Sequence, residues 1–280
     1  MTTETELKQE VREFYDQVGW KEVADGVYQN ARYEDLRPVA HEYIQRCHQR
    51  VSRHLEPRGR YLLDAGSGPI QYPAYLEYSK GYDYRVCLDI SITALQEARK
   101  RVGEHGLFVV GDIAHLPFKA DAFDGAVSLH TIHHLPPTEH IPAYRDIHRV
   151  LKPERRAVLV NGWDNPPLVR LFNFPRLTYR KLRGQRKTRK QKWQKKLAEN
   201  KGTHVRKSNA AWLEKELAPY MPVEIRVWRS LNVHALRFYI RKRLGGRFWL
   251  KILYRLEEIF PRFFGHYGAY PLVIIRKESD

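Results

Sequence analysis

Four apolar runs in this 280-residue chain each close on a residue able to hold a polar ligand. Residues 61–63 lead to Asp64, residues 84–88 to Asp89, residues 107–110 to Gly111 and Asp112, and residues 123–129 to the Ser128–His130 turn. Gly66 and Gly68 follow Asp64 at alternate positions, a turn whose bare backbone can approach a ligand. Asp89 lies twenty-one residues beyond Gly68, where a second strand presents an acid to ribose hydroxyls. A carboxylate there can accept both hydrogen bonds of a vicinal diol. Asp112 is then placed to accept from an adenine amino group. The expected ligand therefore carries a nucleoside. A nicotinamide dinucleotide shares these features, but Pro69-Ile70-Gln71 fits poorly where a pyrophosphate wants a glycine-lined helix N-terminus.

Acids at successive strand ends need a parallel sheet to align them. Residues 60–161 alternate short apolar runs with helical segments, which predicts βαβ units with helices on both faces. Strands are expected at 61–63, 84–88, 107–110, 123–129 and 157–161, and helices at 73–78, 93–102 (capped by Ser91) and 141–151. Before them, residues 4–55 read as helical. Leu7, Val11, Phe14, Tyr15 and Val18 recur at helical spacing up to Gly19-Trp20, and a second helix runs from Pro38 towards Leu55. After them come a short helix at 210–218, a strand at 223–228, a long aromatic and basic helical stretch at 235–264, and a last strand at 270–275.

Five segments in order resemble the class I S-adenosylmethionine-dependent methyltransferases, in particular the ubiquinone/menaquinone-biosynthesis-like (type 11) branch. They are Asp64-Ala65-Gly66-Ser67-Gly68; Cys87-Leu88-Asp89-Ile90-Ser91 with the helix that follows; Gly111-Asp112-Ile113-Ala114 through Phe118; Phe123-Asp124-Gly125 through His133-His134-Leu135; and His148-Arg149-Val150-Leu151-Lys152-Pro153. The resemblance implies an α/β, Rossmann-like, doubly wound seven-stranded sheet with a reversed last strand. An N-terminal helical cap (1–58), the cofactor-binding core (59–164), a basic insertion (165–209) and a C-terminal part of the sheet with an aromatic helical cap (210–280) are the expected units. It implies S-adenosyl-L-methionine as cofactor, bound by Asp64, Gly66, Gly68, Asp89, Ile90, Asp112, Ile113, Leu129 and His130, with no metal. Two positions depart from the family pattern. The usual third glycine is replaced, leaving Pro69-Ile70 where a tighter glycine turn is common, and Glu154-Arg155 replaces a Gly-Gly turn.

His130, His133 and His134 follow the fourth strand, beside the expected methyl group. Imidazole titrates near neutrality, so any of them is a candidate catalytic base for a substrate hydroxyl, or else shapes the cofactor pocket. Tyr15, Trp20, Tyr28 and Tyr33 could close over the sulfonium, and Trp163 could line the acceptor pocket. Each of these aromatics could equally be packing.

The formal charge of +17 is concentrated. Residues 170–207 hold fifteen Lys or Arg against the single acid Glu199. Such a segment suits a solvated insertion, nucleic-acid phosphates or an anionic lipid surface. Nearby, Trp249, Ile252, Leu253, Leu256, Ile259 and Phe260 form an apolar helical stripe, which reads first as a cap helix packed over the sheet edge and otherwise favours a greasy acceptor or a membrane over RNA. The expected function is methyl transfer to oxygen or carbon of a small-molecule or lipid-like acceptor. The alternatives are an RNA methyltransferase using the basic segment, and a non-catalytic cofactor-binding module. With two cysteines and a polar, acidic N-terminus lacking a signal pattern, the chain reads as cytoplasmic, with peripheral attachment to the inner membrane face as a further expectation.

Overall fold

The computed structural model describes residues 4–14, 16, 22–24, 27–28, 34–182 and 207–279. A central seven-stranded sheet comprises β1 (Gly59–Ala65), β2 (Tyr82–Asp89), β3 (Gly106–Val110), β4 (Gly125–Leu129), β5 (Arg156–Val160), β6 (Val223–Arg229) and β7 (Tyr270–Arg276). Their spatial order is 3-2-1-4-5-7-6. The first five strands pair in parallel, and β7 runs antiparallel to both β5 and β6. The order reverses between β1 and β4, so their carboxyl ends diverge into the crevice where ligands of such sheets bind.

Alternation along the strands explains the layers. Leu62, Cys87, Val127 and Val158 point into one core, and Leu63, Leu88, Ala126 and Leu159 into the other. The first core is covered by α2 (His41–Ser52) and α3 (Ile92–Val102), the second by α4 (His140–Val150) and α6 (Ala210–Leu217). Ser91 caps α3 by accepting from the Ala94 amide at 3.1 Å, as its sequence position predicts. The N-terminal α1 (Glu4–Phe14) and a short hairpin of Glu22–Ala24 with Val27–Tyr28 precede the sheet.

Three expectations are sharpened. The stretch at 235–264 is not one helix but α7 (Val233–Tyr239), α8 (Gly246–Ile259) and α9 (Pro261–Tyr267). Gly245 takes φ 67°, which a helix cannot continue through, and Pro261 starts the next one. The basic segment begins with an ordered helix, α5 (Pro167–Leu182), whereas its remainder, 183–206, lies outside the described residues. Trp163 does not line the site. Its ring is buried in the core and its Nε1 donates to the Gly265 carbonyl at 2.7 Å.

The rotation of α8 is the reverse of an ordinary cap. A helix beside a sheet should bury its apolar stripe. Here Leu250, Tyr254 and Glu257 face inward, while Phe248, Trp249, Leu256, Ile259 and Phe260 face solvent at 40–64% exposure. Glu257 fixes this orientation. Its Oε2 accepts from Arg50 Nη1 at 2.9 Å, and its Oε1 accepts from Tyr43 Oη at 2.7 Å and the Ser230 amide at 3.0 Å.

Candidate active site

The carboxyl ends of β1, β2 and β4 open onto a cavity of about 360 Å³. Its floor is the turn after β1. Gly66 and Gly68 adopt φ values of 75° and 55°, the region that favours glycine. A Cβ at Gly66 would also lie 2.2 Å from Thr131 Cγ2, so the close passage of the β4 turn demands glycine there. Ile70, at the position of the missing third glycine, keeps a positive φ of 54° and is fully buried. The backbone path of a glycine turn is thus retained by a β-branched residue, and burial of its side chain offsets the strain.

Asp64 lies beneath this turn. Its Oδ2 accepts from Arg85 Nε at 3.0 Å and Nη2 at 2.5 Å, and Arg85 Nη1 donates to the Tyr75 carbonyl at 2.5 Å. Both side chains are almost wholly buried. Asp64 borders the cavity, but one of its oxygens is committed to locking β1 to β2 and to the 3₁₀ turn Pro73–Ser79.

Asp89 ends β2 with its carboxylate held by two amides. Oδ2 accepts from Gly68 N and Oδ1 from Ser91 N, each at 2.9 Å. Burial pushes its pKa up to about 6, although the two amides pull it down. Each oxygen keeps a lone pair for a diol. Asp112 accepts from Ala114 N at 2.9 Å through Oδ1 and pairs with Lys8 Nζ at 2.5 Å through Oδ2. Lys8 also reaches Glu139 Oε1 at 2.6 Å. Through this lysine, with Val11 and Phe14 on the cavity wall, α1 covers the cavity beside Asp112. Ile90, Ile113 and Leu129 also line the cavity. Tyr15, Trp20 and Tyr33 lie outside the described residues, as does the side chain of Tyr28.

His130, His133 and His134 all face the cavity. His130 leaves β4 at φ 59° with its amide bonded to Val160 O at 2.7 Å, and its ring centroid lies 5.2 Å from that of Trp228 and 5.6 Å from that of Tyr270. His133 Nδ1 lies 3.4 Å from Asn161 Oδ1, and the His133 and His134 ring centroids are 4.2 Å apart. Burial, then neighbouring positive groups, lowers all three pKa values, to about 3 for His130 and His134 and well below the usual range for His133. All three are neutral at pH 7. They can hold a hydrogen bond, and in this surrounding they resist taking a full proton.

This cluster predicts acid sensitivity. In the unfolded chain each imidazole binds a proton below about pH 6.5, so stability present above that value is lost as pH falls towards about 3. Each histidine contributes up to about 1.4 kcal/mol per pH unit in that window. Melting temperatures from pH 7.5 to 4.5 should fall more steeply for the wild type than for His133→Asn. Parallel curves would contradict the cluster's role.

Several site residues carried no local signal. Glu34, Tyr72, Lys207, Trp228, Arg229 and Tyr270 complete the far wall. Glu34 Oε1 accepts from Arg229 Nη1 at 3.1 Å and meets His48 Nε2 at 3.1 Å. Burial raises the Glu34 pKa, but His48 and Arg229 outweigh it and hold the group at about 2. Lys207 Nζ would lie 3.0 Å from a Cβ on Gly162 and makes no hydrogen bond or ion pair among the described residues.

A seven-stranded 3-2-1-4-5-7-6 sheet with a glycine turn and two acids at this edge is the architecture of class I S-adenosylmethionine-dependent methyltransferases. Residues 63–159 match the family model described as "Methyltransferase domain" (Methyltransf_11). The Streptomyces halstedii protein named methyltransferase GfsG is 27% identical over 167 residues, covering 55% of this chain and 58% of that protein. The aligned part thus spans less than two thirds of that relative. Two solved structures share the fold. A chain of the complex between the Haloferax volcanii Trm112 methyltransferase activator and a methyltransferase superimposes with TM-score 0.57, at 16% identity over 96% of this chain and 98% of that one. Geranyl diphosphate C-methyltransferase from Streptomyces coelicolor A3(2) gives 0.55, at 15% identity over 96% of each chain. The cofactor of this class is S-adenosylmethionine. The bare glycine turn, the doubly anchored Asp89 and the cavity at the strand ends fit it.

Proposed function

We propose that this chain transfers the methyl group of S-adenosylmethionine to carbon or oxygen of a small-molecule or lipid-like acceptor. One observation carries the acceptor half of this reading. Beyond His130, the cavity ends in an aromatic wall of Tyr72, Trp228 and Tyr270, beside the ammonium of Lys207, which has no ion pair among the described residues. Such a chamber suits a largely apolar molecule with one anionic or proton-losing oxygen.

The bound cofactor supplies a methyl group already activated on a sulfonium. Asp89 would accept from the ribose hydroxyls, Asp112 and Ile113 would hold the adenine, and Gly66 and Gly68 would let the backbone approach. Ile90 and Leu129 flank the nucleoside. Asp64 holds the floor through Arg85. His130, fixed by its backbone bond to Val160, walls the methyl end without adding a charge that would repel a sulfonium. His133 and His134 would accept a hydrogen bond from the acceptor's hydroxyl, Lys207 would stabilise the negative charge developing on its oxygen, the proton would pass to solvent water at the exposed Lys207 side, and the demethylated cofactor would be the leaving group. Alignment of acceptor and methyl then does most of the work.

The test is transfer of label from methyl-labelled cofactor into lipid extracts and small phenolic or enolic acceptors. Lys207→Ala should lower kcat/KM by about 10–100-fold, the scale of one charge-assisted hydrogen bond, with cofactor affinity unchanged. Cofactor binding without transfer to any acceptor would favour the non-catalytic module.

A further inference from the structure

The outward stripe of α8 is the largest feature that the methyl-transfer site does not use. We propose that α5, α8 and α9 form a docking face for the surface of an anionic lipid bilayer.

On α8, side chains advance 100° per residue. Leu250, Tyr254 and Glu257 fall on the buried side, and Phe248, Trp249, Leu256 and Ile259 on the opposite one. Their exposures are 61%, 57%, 40% and 64%. Arg247, Lys251 and Arg255, spaced i, i+4, i+8, line one border of this stripe. All three are exposed, and none forms an ion pair among the described residues. A helix that lies in a lipid interface has this composition: aromatic and aliphatic residues on the outer face and uncompensated cations at its edge.

The neighbouring helices extend the face. In α9, Phe263 and Tyr267 are exposed at 50% and 46% with ring centroids 5.1 Å apart. That helix touches both α8 and α5. In α5, Leu171, Phe174, Leu177 and Leu182 are exposed at 66%, 70%, 51% and 87%. Apolar surface of this extent is rare on a free protein surface and marks an interaction site. Among the described residues no helix is long and apolar enough to cross a membrane, so attachment is to the surface.

The charge chooses the partner. Arg and Lys flanking exposed Phe, Trp and Leu complement phosphate headgroups above acyl chains. RNA would be met by cations and stacking groups, and three exposed leucines on α5 and two aliphatic side chains on α8 add nothing to a phosphate backbone. The helices leave the sheet after β5 and β6 and return at Tyr270, so the face grows from the sheet edge that carries the cavity. The proposal does not depend on methyl transfer.

The test is sedimentation of the full chain with phosphatidylcholine vesicles with and without phosphatidylglycerol, at low and high salt. Binding is expected to the anionic vesicles, weakening as salt screens the cations. Phe248→Asp with Ile259→Asp should reduce it roughly tenfold or more. Both positions are exposed, so melting temperature and cofactor binding should stay as in the wild type. Arg247→Glu with Lys251→Glu should remove the preference for anionic vesicles. The proposal is overturned by any of three results: no sedimentation at low salt, equal binding of the Phe248/Ile259 variant, or binding of RNA but not vesicles. A concentration-dependent dimer that the same variant dissociates would also overturn it, by assigning the face to a second copy of the chain.

Discussion

Arg85→Met is expected to destabilise the protein by about 3–5 kcal/mol, the cost of removing one partner from a buried ion pair. Arg85 is fully buried in β2 and gives two hydrogen bonds to Asp64 and one to the Tyr75 carbonyl. Methionine matches much of its length but leaves the Asp64 carboxylate, 2% exposed, without a cation. The loss should therefore exceed that of the double variant Arg85→Met/Asp64→Asn, which removes the stranded charge as well. Urea unfolding of the four species of this cycle measures the coupling. A double variant no more stable than Arg85→Met would mean that packing, not the charge, dominates at this site. Because Asp64 sits under Gly66–Gly68, cofactor affinity should also fall in the single variant.

Glu257→Leu is expected to have an effect of the same size for a different part of the fold. It leaves the Arg50 guanidinium, whose side chain is 4% exposed, with only the partly exposed Glu258 as counter-charge, and takes an acceptor from Tyr43 and Ser230. About 3–5 kcal/mol should be lost, or roughly 5–10 °C in melting temperature for a chain of this size. Glu257→Gln keeps the shape and some of the hydrogen bonds, and should cost about 1–3 kcal/mol. A leucine variant as stable as the wild type would show that hydrophobic packing can replace the ionic anchor. Scanning calorimetry of the three proteins decides between these outcomes.

These two pairs also mark the limit of what the sequence discloses. The strand-end acids, the glycine turn and the Ser91 cap were legible because each is a local pattern with a fixed structural meaning. So were the strand count and the reversed last strand, through the resemblance. The Arg85–Asp64 lock was not, since an arginine inside a strand gives no sign of whether it points to solvent or to an acid one strand away. The apolar stripe on α8 was legible as a stripe. Its direction was not, because it is set by Glu257 meeting Arg50 more than two hundred residues earlier in the chain. The far wall of the cavity is hidden for the same reason: Glu34, Lys207 and Arg229 come from three distant segments. The position of Ile70 was flagged by the missing glycine, yet only the backbone shows that the glycine-like φ is kept.

The central claim is that the cavity over Gly66, Gly68, Asp89 and Asp112 binds S-adenosylmethionine. Isothermal titration with the cofactor and its demethylated product, on the wild type and Asp89→Ala, tests it most directly. On this claim Asp89 would serve the diol as a carboxylate, and its pKa is raised to about 6, so wild-type affinity should decline as pH falls below that value. One-to-one binding to the wild type at pH 7.5, weakened by about 1–3 kcal/mol in Asp89→Ala, is the predicted result. No binding to the wild type, or equal affinity in the variant, would contradict it.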